Sequence, residues 1–457
     1  MSLYESAQPA LDWLDGRIAG DAGLDAALFE ALRAKQSEQG LVHGTRTVCS
    51  FLRPLILPRS LYQVIARAAE TLAPAFERIA EAALEDAAVM NELGLTRREE
   101  MMARINPGYR ALCVNSRLDT FISTTGFYFL EYNAESPAGL TDQMLVESLI
   151  FDLPYMKEFL ARYRHWRPEP HRRLLAALLE TYREWGGRRA CPLIAITDWK
   201  GVDTESEFVI LKTHFEREGY PALICDPHDL EYDGKALTIG GREIDIVYKR
   251  VIIHEFLEKF DETHPLSQAY ADGNVMVANS FRTKLAHKKA SFAIISDPLY
   301  EHLFTPEQIR AARRHIPWTR RIRARTTTFD GRECDLPDLI ERQRTQLVIK
   351  PNDDYGGHGV LIGAETEPHV WAEAIRRGLE EPYVVQELVP VEKIRMPAYT
   401  DEIVWDEMLV DFDPFLFRNE TYGGLARLSA SSLCNVSSGG GVTALLVLED
   451  EQSSPQD

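Results

Sequence analysis

The stretch from Leu347 to Ile362 restricts the fold most. It reads L-V-I-K-P-N-D-D-Y-G-G-H-G-V-L-I, so a β-run delivers Lys350 at its end and a polar loop with three glycines in four positions leads back into an apolar run. Glycines let a backbone approach phosphate oxygens closely, and a lysine beside them supplies a point charge. The alternative is a plain β-hairpin whose turn needs glycines at positive φ, with Lys350 solvated. The loop is not a Walker loop, because G-x-x-x-x-G-K-[ST] does not occur in the chain.

A second candidate lies about 220 residues earlier, where an aromatic run from Phe127 ends in Glu131-Tyr132-Asn133. Side chains two apart on a strand point the same way, so Glu131 and Asn133 present two oxygen donors together. Hard cations such as Mg²⁺ prefer carboxylate and amide oxygens. Asp119 becomes a third ligand on the neighbouring strand if residues 125–126 turn a hairpin. The alternative is an ordinary polar strand end.

Two further motifs are compatible with nucleotide chemistry. The run 383–389, Y-V-V-Q-E-L-V, is a β-run whose exit can offer backbone groups to an adenine edge and a carboxylate to a ribose. Arg427 ends G-G-L-A-R, and an arginine fixed on a strand can brace a transferring phosphoryl group. For Arg427 the alternative is a structural ion pair, and for the triple glycine at 439–441 it is a flexible turn.

The periodicity divides the chain into regions. Residues 1–110 are predicted to be helical, with helices over 61–72, 74–85 and 96–104 and with Pro74 at a first helical position. Residues 190–275 alternate as a small open α/β layer, with strands near 192–197, 222–225 and 244–248 and a helix over 205–218. Strands and helices alternate again over 276–450, and residues 451–457 form a polar tail.

The charge of the chain excludes some partner classes. With 51 basic and 70 acidic residues the formal charge is −19, which repels phosphate backbones and anionic lipid. We therefore expect neither a nucleic-acid nor a membrane partner, whereas cationic partners such as amines are tolerated. The first residues lack a basic segment followed by an apolar stretch, and no run approaches the ~18 apolar residues of a membrane span. These features predict a cytoplasmic protein.

Taken together, the motifs resemble the circularly permuted branch of the ATP-grasp family, in particular its type 2 group and the synthetase domain of glutathionylspermidine synthases. The resemblance runs from about Arg53 to Asp450. Its motifs, in order, are R-L-D at 117–119, L-E-Y-N-A-E-S-P-A-G at 130–139, K-P-x4-G-G-x-G at 350–359, Q-E-L-V at 386–389, G-G-L-A-R at 423–427 and N-V-S-S-G-G-G at 435–441. In ordinary ATP-grasp enzymes the E-x-N strand follows the lysine and glycine loop, whereas here it precedes that loop.

The resemblance implies an α+β and α/β fold made of four parts. These are a helical N-terminal region (1–110), the permuted part of the ATP-grasp unit with the metal strand (111–189), a small α/β pre-ATP-grasp domain (190–275) and the nucleotide-binding domain (276–450). The loop carries Asp353-Asp354-Tyr355 where glutathionylspermidine synthases have Arg-Glu, which is closer to the broader type 2 group. The resemblance therefore does not extend to glutathione and spermidine as substrates.

The matching positions imply roles for individual residues. Arg117 and Arg427 would face the reacting phosphoryl group, Lys350 would reach the nucleotide phosphates, and Arg250 would bind a substrate carboxylate unless it is a surface arginine after a strand. The other implied roles are Mg²⁺ binding by Asp119, Glu131 and Asn133, nucleotide binding by Lys289, Gly356, Gly357, Gly359, Gln386, Glu387 and Val389, and substrate binding by Asn435. Lys288, adjacent to Lys289, stays an alternative for the nucleotide contact.

The activity implied by the resemblance is an ATP- and Mg²⁺-dependent carboxylate–amine ligase. ATP would phosphorylate a small-molecule or peptide carboxylate to an acyl phosphate, and an amine would displace phosphate to give an amide. One alternative is an ATP-grasp phosphotransferase, and another is a nucleotide-binding regulator without catalysis. The sequence identifies neither the carboxylate nor the amine, nor the oligomeric state, nor a partner protein that delivers a substrate.

Overall fold

The computed structural model describes residues 4–123, 126–354, 356–432, 434 and 440–450. The N-terminal region is largely helical, as predicted. Its helices are α1 Gln8–Gly20, α2 Ala26–Glu38, α3 Arg59–Glu85, α4 Ala87–Leu93 and α5 Arg97–Arg104. Its short strands are β1 Val42–His43, β2 Arg46–Thr47 and β3 Leu55–Pro58. β3 pairs in parallel with a strand from the far end of the chain, and such a partner leaves no local periodicity to read.

The prediction of two helices on either side of Pro74 is wrong, because α3 runs through this proline without a break. A proline inside a helix removes one hydrogen bond and costs about 3 kcal/mol. Here the buried face continues on both sides of it, from Ile65 and Leu72 to Phe76 and Ile79. Burial of one such aliphatic or aromatic side chain contributes about 1.5–3 kcal/mol. Burial of this continuous apolar face therefore outweighs the cost of Pro74 inside the helix.

A large antiparallel sheet positions most of the candidate residues. Its strands are β4 Asn115–Ser123, β5 Gly126–Asn133, β20 Lys393–Tyr399, β21 Ile403–Phe417, β22 Glu420–Ser429 and β23 Gly441–Thr443. They lie in the order β23-β22-β21-β4-β5, and β20 also pairs with β21. The expected pairing of β4 with β5 is present, although residues 124 and 125 of the connecting turn lie outside the described part. In this register Asp119 lies opposite Glu131, and Asp411 lies opposite Arg427.

A core residue explains why Glu131 and Asn133 face away from the interior. Tyr132, which lies between them, is buried and stacks on Phe76 of α3 with ring centroids 4.6 Å apart. Its hydroxyl lies 3.0 Å from that of Ser116. Because side chains alternate along a strand, burial of Tyr132 turns both neighbours to the opposite face.

The segment around Lys350 forms the predicted pair of strands within a second antiparallel sheet. Its members are β14 Thr319–Arg321, β17 Leu347–Pro351, β18 Leu361–Ile362 and β19 Tyr383–Glu387, in the order β14-β19-β17-β18. Around it lie the hairpin β15 Thr326–Phe329 and β16 Arg332–Asp335 and the helices α12 Lys284–His287, α13 Ala290–Ile295, α14 Pro306–His315, α15 Leu336–Arg342 and α16 Pro368–Glu380.

The expected α/β layer is present as a parallel sheet in the order β13-β12-β7-β8. The strands of this region are β7 Ile194–Thr197, β8 Ala222–Cys225, β9 Glu231–Tyr232, β10 Leu237–Ile239, β11 Arg242–Glu243, β12 Ile246–Lys249 and β13 Met276–Ala278. Its helices are α9 Glu205–Arg217, α10 Ile253–Lys259 and α11 Pro265–Ala271. The remaining elements are α6 Leu140–Phe151, α7 Pro154–Arg162, α8 Pro170–Trp185, β6 His165–Trp166 and β24 Leu445–Leu448. Among the described residues, no helix combines the length and the apolar character needed to span a bilayer.

Candidate functional site

Two cavities meet at the face of the large sheet. The first, of about 380 Å³, lies between the Lys350 sheet and the large sheet. The second, of about 610 Å³, extends from the large sheet toward the α/β layer. Asp119, Glu131 and Arg427 line both cavities, so these three side chains form the junction between them.

Most of the predicted site residues are brought together by this arrangement. The first cavity is also lined by Lys289, Lys350, Gly357, Gln386, Glu387 and Val389, and the second by Arg117, Asn133, Arg250 and Gly356. Gly359 lines neither cavity and instead packs near Pro351. Asn435 lies outside the described residues.

Arg427 forms buried ion pairs, which was the alternative interpretation of this residue. Its Nη2 donates to Asp119 and Asp411, at 2.6 Å each, and lies 2.8 Å from Asp413. Arg117 adds a second guanidinium, whose Nε lies 3.0 Å from Asp119 and 3.5 Å from Asp413. The same arginines line the cavities, so structural pairing and contact with a ligand are compatible.

The two arginines control the charge of this group. Burial alone would raise the pKa of Asp119, but Arg117 and Arg427 outweigh it and hold the pKa well below the usual value. Asp413 differs, because burial raises its pKa well above the ordinary value, and the neighbouring carboxylates reinforce burial against the lowering effect of Arg427. Asp411 and Asp413 are not among the site residues predicted from the sequence. Their signal was the alternation Asp-Phe-Asp on a strand, which places both carboxylates on one face.

The donor set of the junction fits a hard divalent cation. Asn133 donates its amide nitrogen to Asp119 at 2.8 Å, which leaves its amide oxygen as the remaining ligand atom. Carboxylate oxygens of Asp119, Asp411 and Asp413 also lie within 4.8 Å of one another, but Arg427 Nη2 lies within 2.8 Å of all three and takes the position of a cation among them. Asp119 lies opposite Glu131 in the sheet, so two carboxylates and the Asn133 amide oxygen supply the kinds of ligand that Mg²⁺ prefers.

The sequence left open whether Lys288 or Lys289 contacts the nucleotide, and the structure places the two side chains differently. Lys289 lines the first cavity, and its ammonium lies 2.9 Å from Glu131 and 2.6 Å from the carbonyl of Asp354. Lys288 is buried and points away to Glu99 and Asp353. Lys289 is therefore the one of the pair that can reach a ligand in this cavity.

Lys350 projects from β17 into the same cavity. Its ammonium donates to Gln386 Oε1 at 2.6 Å and approaches the carbonyl of Leu130 at 3.5 Å. Burial, assisted by the nearby Lys289 ammonium, lowers the pKa of Lys350 to about 8. An anion in the cavity would favour the charged form of Lys350.

The glycine loop closes over this region with a conformation that requires glycine. Gly356, Gly357 and Gly359 have φ values of 66°, 77° and 68°, in the left-handed region. A Cβ on Gly359 would also lie 2.7 Å from the Pro351 ring. Tyr355 lies outside the described residues. The loop therefore keeps a side-chain-free backbone beside Lys350, as both the hairpin and the phosphate interpretation require.

The exit of β19 forms another wall of the cavity. Gln386 is buried between Lys350 and Thr319, to which its amide nitrogen donates at 3.0 Å. The Glu387 side chain is exposed, while its backbone N–H donates to Trp318. The next N–H, that of Leu388, donates to Gln346, so a main-chain donor for a base must come from Val389 or elsewhere.

Arg250 is not the surface residue that one interpretation allowed. It is buried, and its guanidinium lies 2.9 Å from Glu207 and 2.8 Å from the carbonyl of Pro137. Its Nε is buried without a hydrogen-bond partner in the described residues, and the side chain lines the second cavity. Arg250 is therefore a buried residue in the wall of this cavity, held in place by Glu207 and the Pro137 carbonyl.

Comparison with known proteins identifies relatives of part of the chain. It is 25% identical over 230 residues to the uncharacterized protein sll0335 of Synechocystis sp., a match that covers 46% of this chain and 44% of that protein. It is 33% identical over 119 residues to a putative glutamate–cysteine ligase 2-2 of Frankia casuarinae, covering 24% of this chain and 14% of that protein. The chain thus spans less than half the length of either relative. No protein-family model matches it.

A solved structure has the same overall fold. The apo form of a glutathione synthetase-like effector, GSS30 from Globodera pallida, matches with a TM-score of 0.59 at 12% sequence identity. The match covers 92% of this chain and 97% of the effector. The chain therefore shares the mixed α and β fold of that effector along nearly its whole length.

Proposed function

We propose that this chain is an ATP- and Mg²⁺-dependent carboxylate–amine ligase of the ATP-grasp type, with the metal strand in the permuted position ahead of the lysine strand. The observation that carries the proposal is the meeting of two cavities at Asp119, Glu131 and Arg427. One cavity presents two lysines and a glycine loop, and the other leads away from the same junction. A transfer between two bound molecules needs this arrangement, since both must reach one set of charges.

The first cavity is assigned to ATP. Lys289 and Lys350 would bind the phosphates, and the backbone of Gly356 and Gly357 would cover them. The β19 exit, from Gln386 to Val389, would border the base and ribose. The likeness in fold to a glutathione synthetase-like effector and the partial identity to a putative glutamate–cysteine ligase support a ligase.

The junction is assigned to the transferring phosphoryl group. Asp119, Glu131 and Asn133 would hold Mg²⁺, which would neutralise charge on the phosphates. Arg117 and Arg427 would stabilise the charge that develops on the transferring group; loss of one such contact typically costs about 3–4 kcal/mol in the transition state. The buried pairing with Asp411 and Asp413 keeps Arg427 fixed in advance.

The second cavity is assigned to the carboxylate and the amine. A carboxylate oxygen attacks the γ-phosphorus of ATP, ADP leaves, and an acyl phosphate forms. The amine nitrogen then attacks the acyl carbon, the C–O bond to phosphate breaks, and a proton leaves the nitrogen. Arg250, which lines this cavity, would orient a carboxylate, and Asn435 is proposed to contact substrate from the segment before β23.

Oxygen transfer tests this assignment. The enzyme with ATP and Mg²⁺ is screened for ADP release against amino acids and short peptides paired with amines, and active pairs are repeated with ¹⁸O in the carboxylate. A ligase moves one ¹⁸O from carboxylate to phosphate and forms an amide. Phosphate retained on an isolated product indicates a phosphotransferase instead. ATP binding without turnover over the whole panel supports the regulator.

A further inference from the structure

A buried cluster of charges lies beneath the glycine loop, outside both cavities. At its centre is Lys284, whose side chain has no solvent exposure. Its ammonium lies 2.7 Å from Glu135, 2.7 Å from Asp353 and 3.6 Å from Glu99. Lys288 adds a second ammonium, 2.6 Å from Asp353 and 2.9 Å from Glu99. A lysine buried this deeply cannot itself touch a ligand.

Each carboxylate of the cluster comes from a different part of the fold. Glu99 lies on α5 of the helical region, and Asp353 begins the glycine loop. Glu135 follows the strand that carries Glu131 and Asn133, and its other oxygen accepts from the N–H of Ile253 at 2.9 Å. Since Ile252, the neighbour of Ile253, lines the second cavity, Lys284 connects the glycine loop through Glu135 with the wall of that cavity.

The cluster is a lysine site and not a metal site. Oxygens of Glu135 and Asp353 lie close enough to a nitrogen of His287 for the three to hold an ion. However, the Lys284 ammonium already bridges the two carboxylates. Burial opposes the charge of Lys284, but the carboxylates, Glu135 foremost, outweigh it and raise the pKa of this lysine. The pKa of Glu135 is lowered to about 2, because Lys284 and its other cationic neighbours outweigh the effect of burial.

The base of the loop is fixed by further bonds next to this cluster. Asn352 accepts from the N–H of Ala290 at 2.8 Å and donates to the carbonyl of Leu93 at 2.7 Å. Lys289 donates its N–H to the Asn352 carbonyl at 2.9 Å and its ammonium to the Asp354 carbonyl at 2.6 Å. Residues 352–354 are therefore held rigidly just before the glycines.

We propose that Lys284 is a positioning residue: by binding Asp353 and Glu135 together it holds the glycine loop in register with the metal strand and so sets the affinity for nucleotide. The inference rests on the proposed function, because it assumes that the loop covers ATP phosphates. It goes further in assigning that affinity to a residue that contacts no ligand.

A double-mutant cycle tests the proposal, with ADP and Mg²⁺ as the probe in calorimetry. Lys284→Met, Asp353→Asn and the double variant are compared with the wild type, and urea unfolding is measured in parallel. We expect each single variant to weaken ADP binding at least fivefold. The double variant should bind ADP no more weakly than the single variant with the lower affinity, because both substitutions break the same Lys284–Asp353 interaction. Arg53→Met is the control, since it removes a partly buried ion pair with Asp15, 2.8 Å apart and away from the cavities.

A merely structural role would lower stability and leave ADP affinity unchanged. Wild-type affinity in the folded Lys284→Met or Asp353→Asn variant would overturn the inference, as would an equal loss of affinity in Arg53→Met. If Lys284→Met does not fold, the ADP affinity of Asp353→Asn alone tests the inference, since this substitution keeps the shape of the side chain. Failure of the wild type to bind ADP would overturn the proposed function and the inference with it, whereas binding unchanged in the variants overturns the inference only.

Discussion

The Lys289 ammonium lies 2.9 Å from the Glu131 carboxylate, although the two residues are 158 positions apart in the chain. A residue at the edge of the proposed phosphate site thus touches a residue of the proposed metal site. Charges this close interact strongly when they are partly removed from water. Binding of nucleotide and of Mg²⁺ is therefore expected to be coupled through this pair.

Glu131→Gln tests the coupling by removing the charge while keeping the shape. We expect the wild type to bind ADP at least tenfold more tightly with Mg²⁺ than without it. The variant should show almost no Mg²⁺ dependence, because a carboxylate ligand is lost. Calorimetric titration with ADP at several Mg²⁺ concentrations measures this. Glu333→Gln, an identical change at an exposed position of β16, should behave as the wild type. A full Mg²⁺ effect in Glu131→Gln would contradict the metal assignment.

Lys350 predicts a pH dependence of nucleotide binding. Because burial lowers the pKa of Lys350 to about 8, its charge is lost as pH rises through 8. Phosphates favour the charged form, so affinity for ADP should fall between pH 7 and pH 9.5. At pH 8.5, binding should take up about 0.7 proton. Calorimetry in two buffers of different ionisation enthalpy measures the uptake.

Two variants serve as controls for the Lys350 prediction. Lys350→Met should bind ADP weakly and without the proton uptake. Lys350→Arg, whose guanidinium stays charged, should show a flatter profile from pH 7 to pH 9.5. Equal uptake by the wild type and Lys350→Met would assign the titration to another group.

Arg427→Met should destabilise the fold, because it leaves Asp119, Asp411 and Asp413 buried with one arginine fewer. Removal of one partner from a buried ionic group lowers the free energy of unfolding by about 3–5 kcal/mol. Urea unfolding at pH 7.5 measures this loss. Without Arg427 the pKa of Asp119 loses one of the two charges that lower it, and the pKa values of Asp411 and Asp413, which burial already raises, rise further. The difference from the wild type should therefore shrink as pH falls toward 5.

A matched control for Arg427→Met is Arg173→Met, which breaks a more exposed pair with Glu180 and Glu420. Such pairs contribute about 1 kcal/mol or less. Equal losses of unfolding free energy in the two variants would contradict the role of Arg427 in neutralising the three buried aspartates. A loss in Arg427→Met that does not change with pH would contradict it as well.

Asp142 lines the second cavity and should make stability depend on pH. Burial, reinforced by Glu207, raises its pKa to about 7. A carboxyl whose pKa is raised on folding stabilises the fold at low pH, and this contribution is lost as pH rises from about 4 to 7. Asp142→Asn should thus be more stable than the wild type by about 4 kcal/mol at pH 8 and nearly equal at pH 4. Asp203→Asn, in the same cavity but exposed, should show no such difference at pH 8.

The sequence predicted the elements of the site better than their environment. The Lys350 strand pair, the β4–β5 pairing and the α/β layer follow from patterns within short segments. The continuous α3, the β3–β24 pair and the ion pairs of Asp411 and Asp413 with Arg427 depend on partners from other parts of the chain. Local periodicity does not reveal such partners. It also could not decide between Lys288 and Lys289, because these lysines differ in the groups that their side chains contact in the folded chain.

The most direct test of the central claim is thermal unfolding of the wild type and of Lys350→Met with and without ADP and Mg²⁺. Ligand at about 100 times its Kd adds roughly 2.7 kcal/mol to the stability of the native state. At about 2–4 °C per kcal/mol, the Tm of the wild type should rise by roughly 5–10 °C. The account predicts this rise only with both ligands present and a much smaller one in Lys350→Met. No shift at millimolar ADP, or an equal shift in the variant, would contradict it.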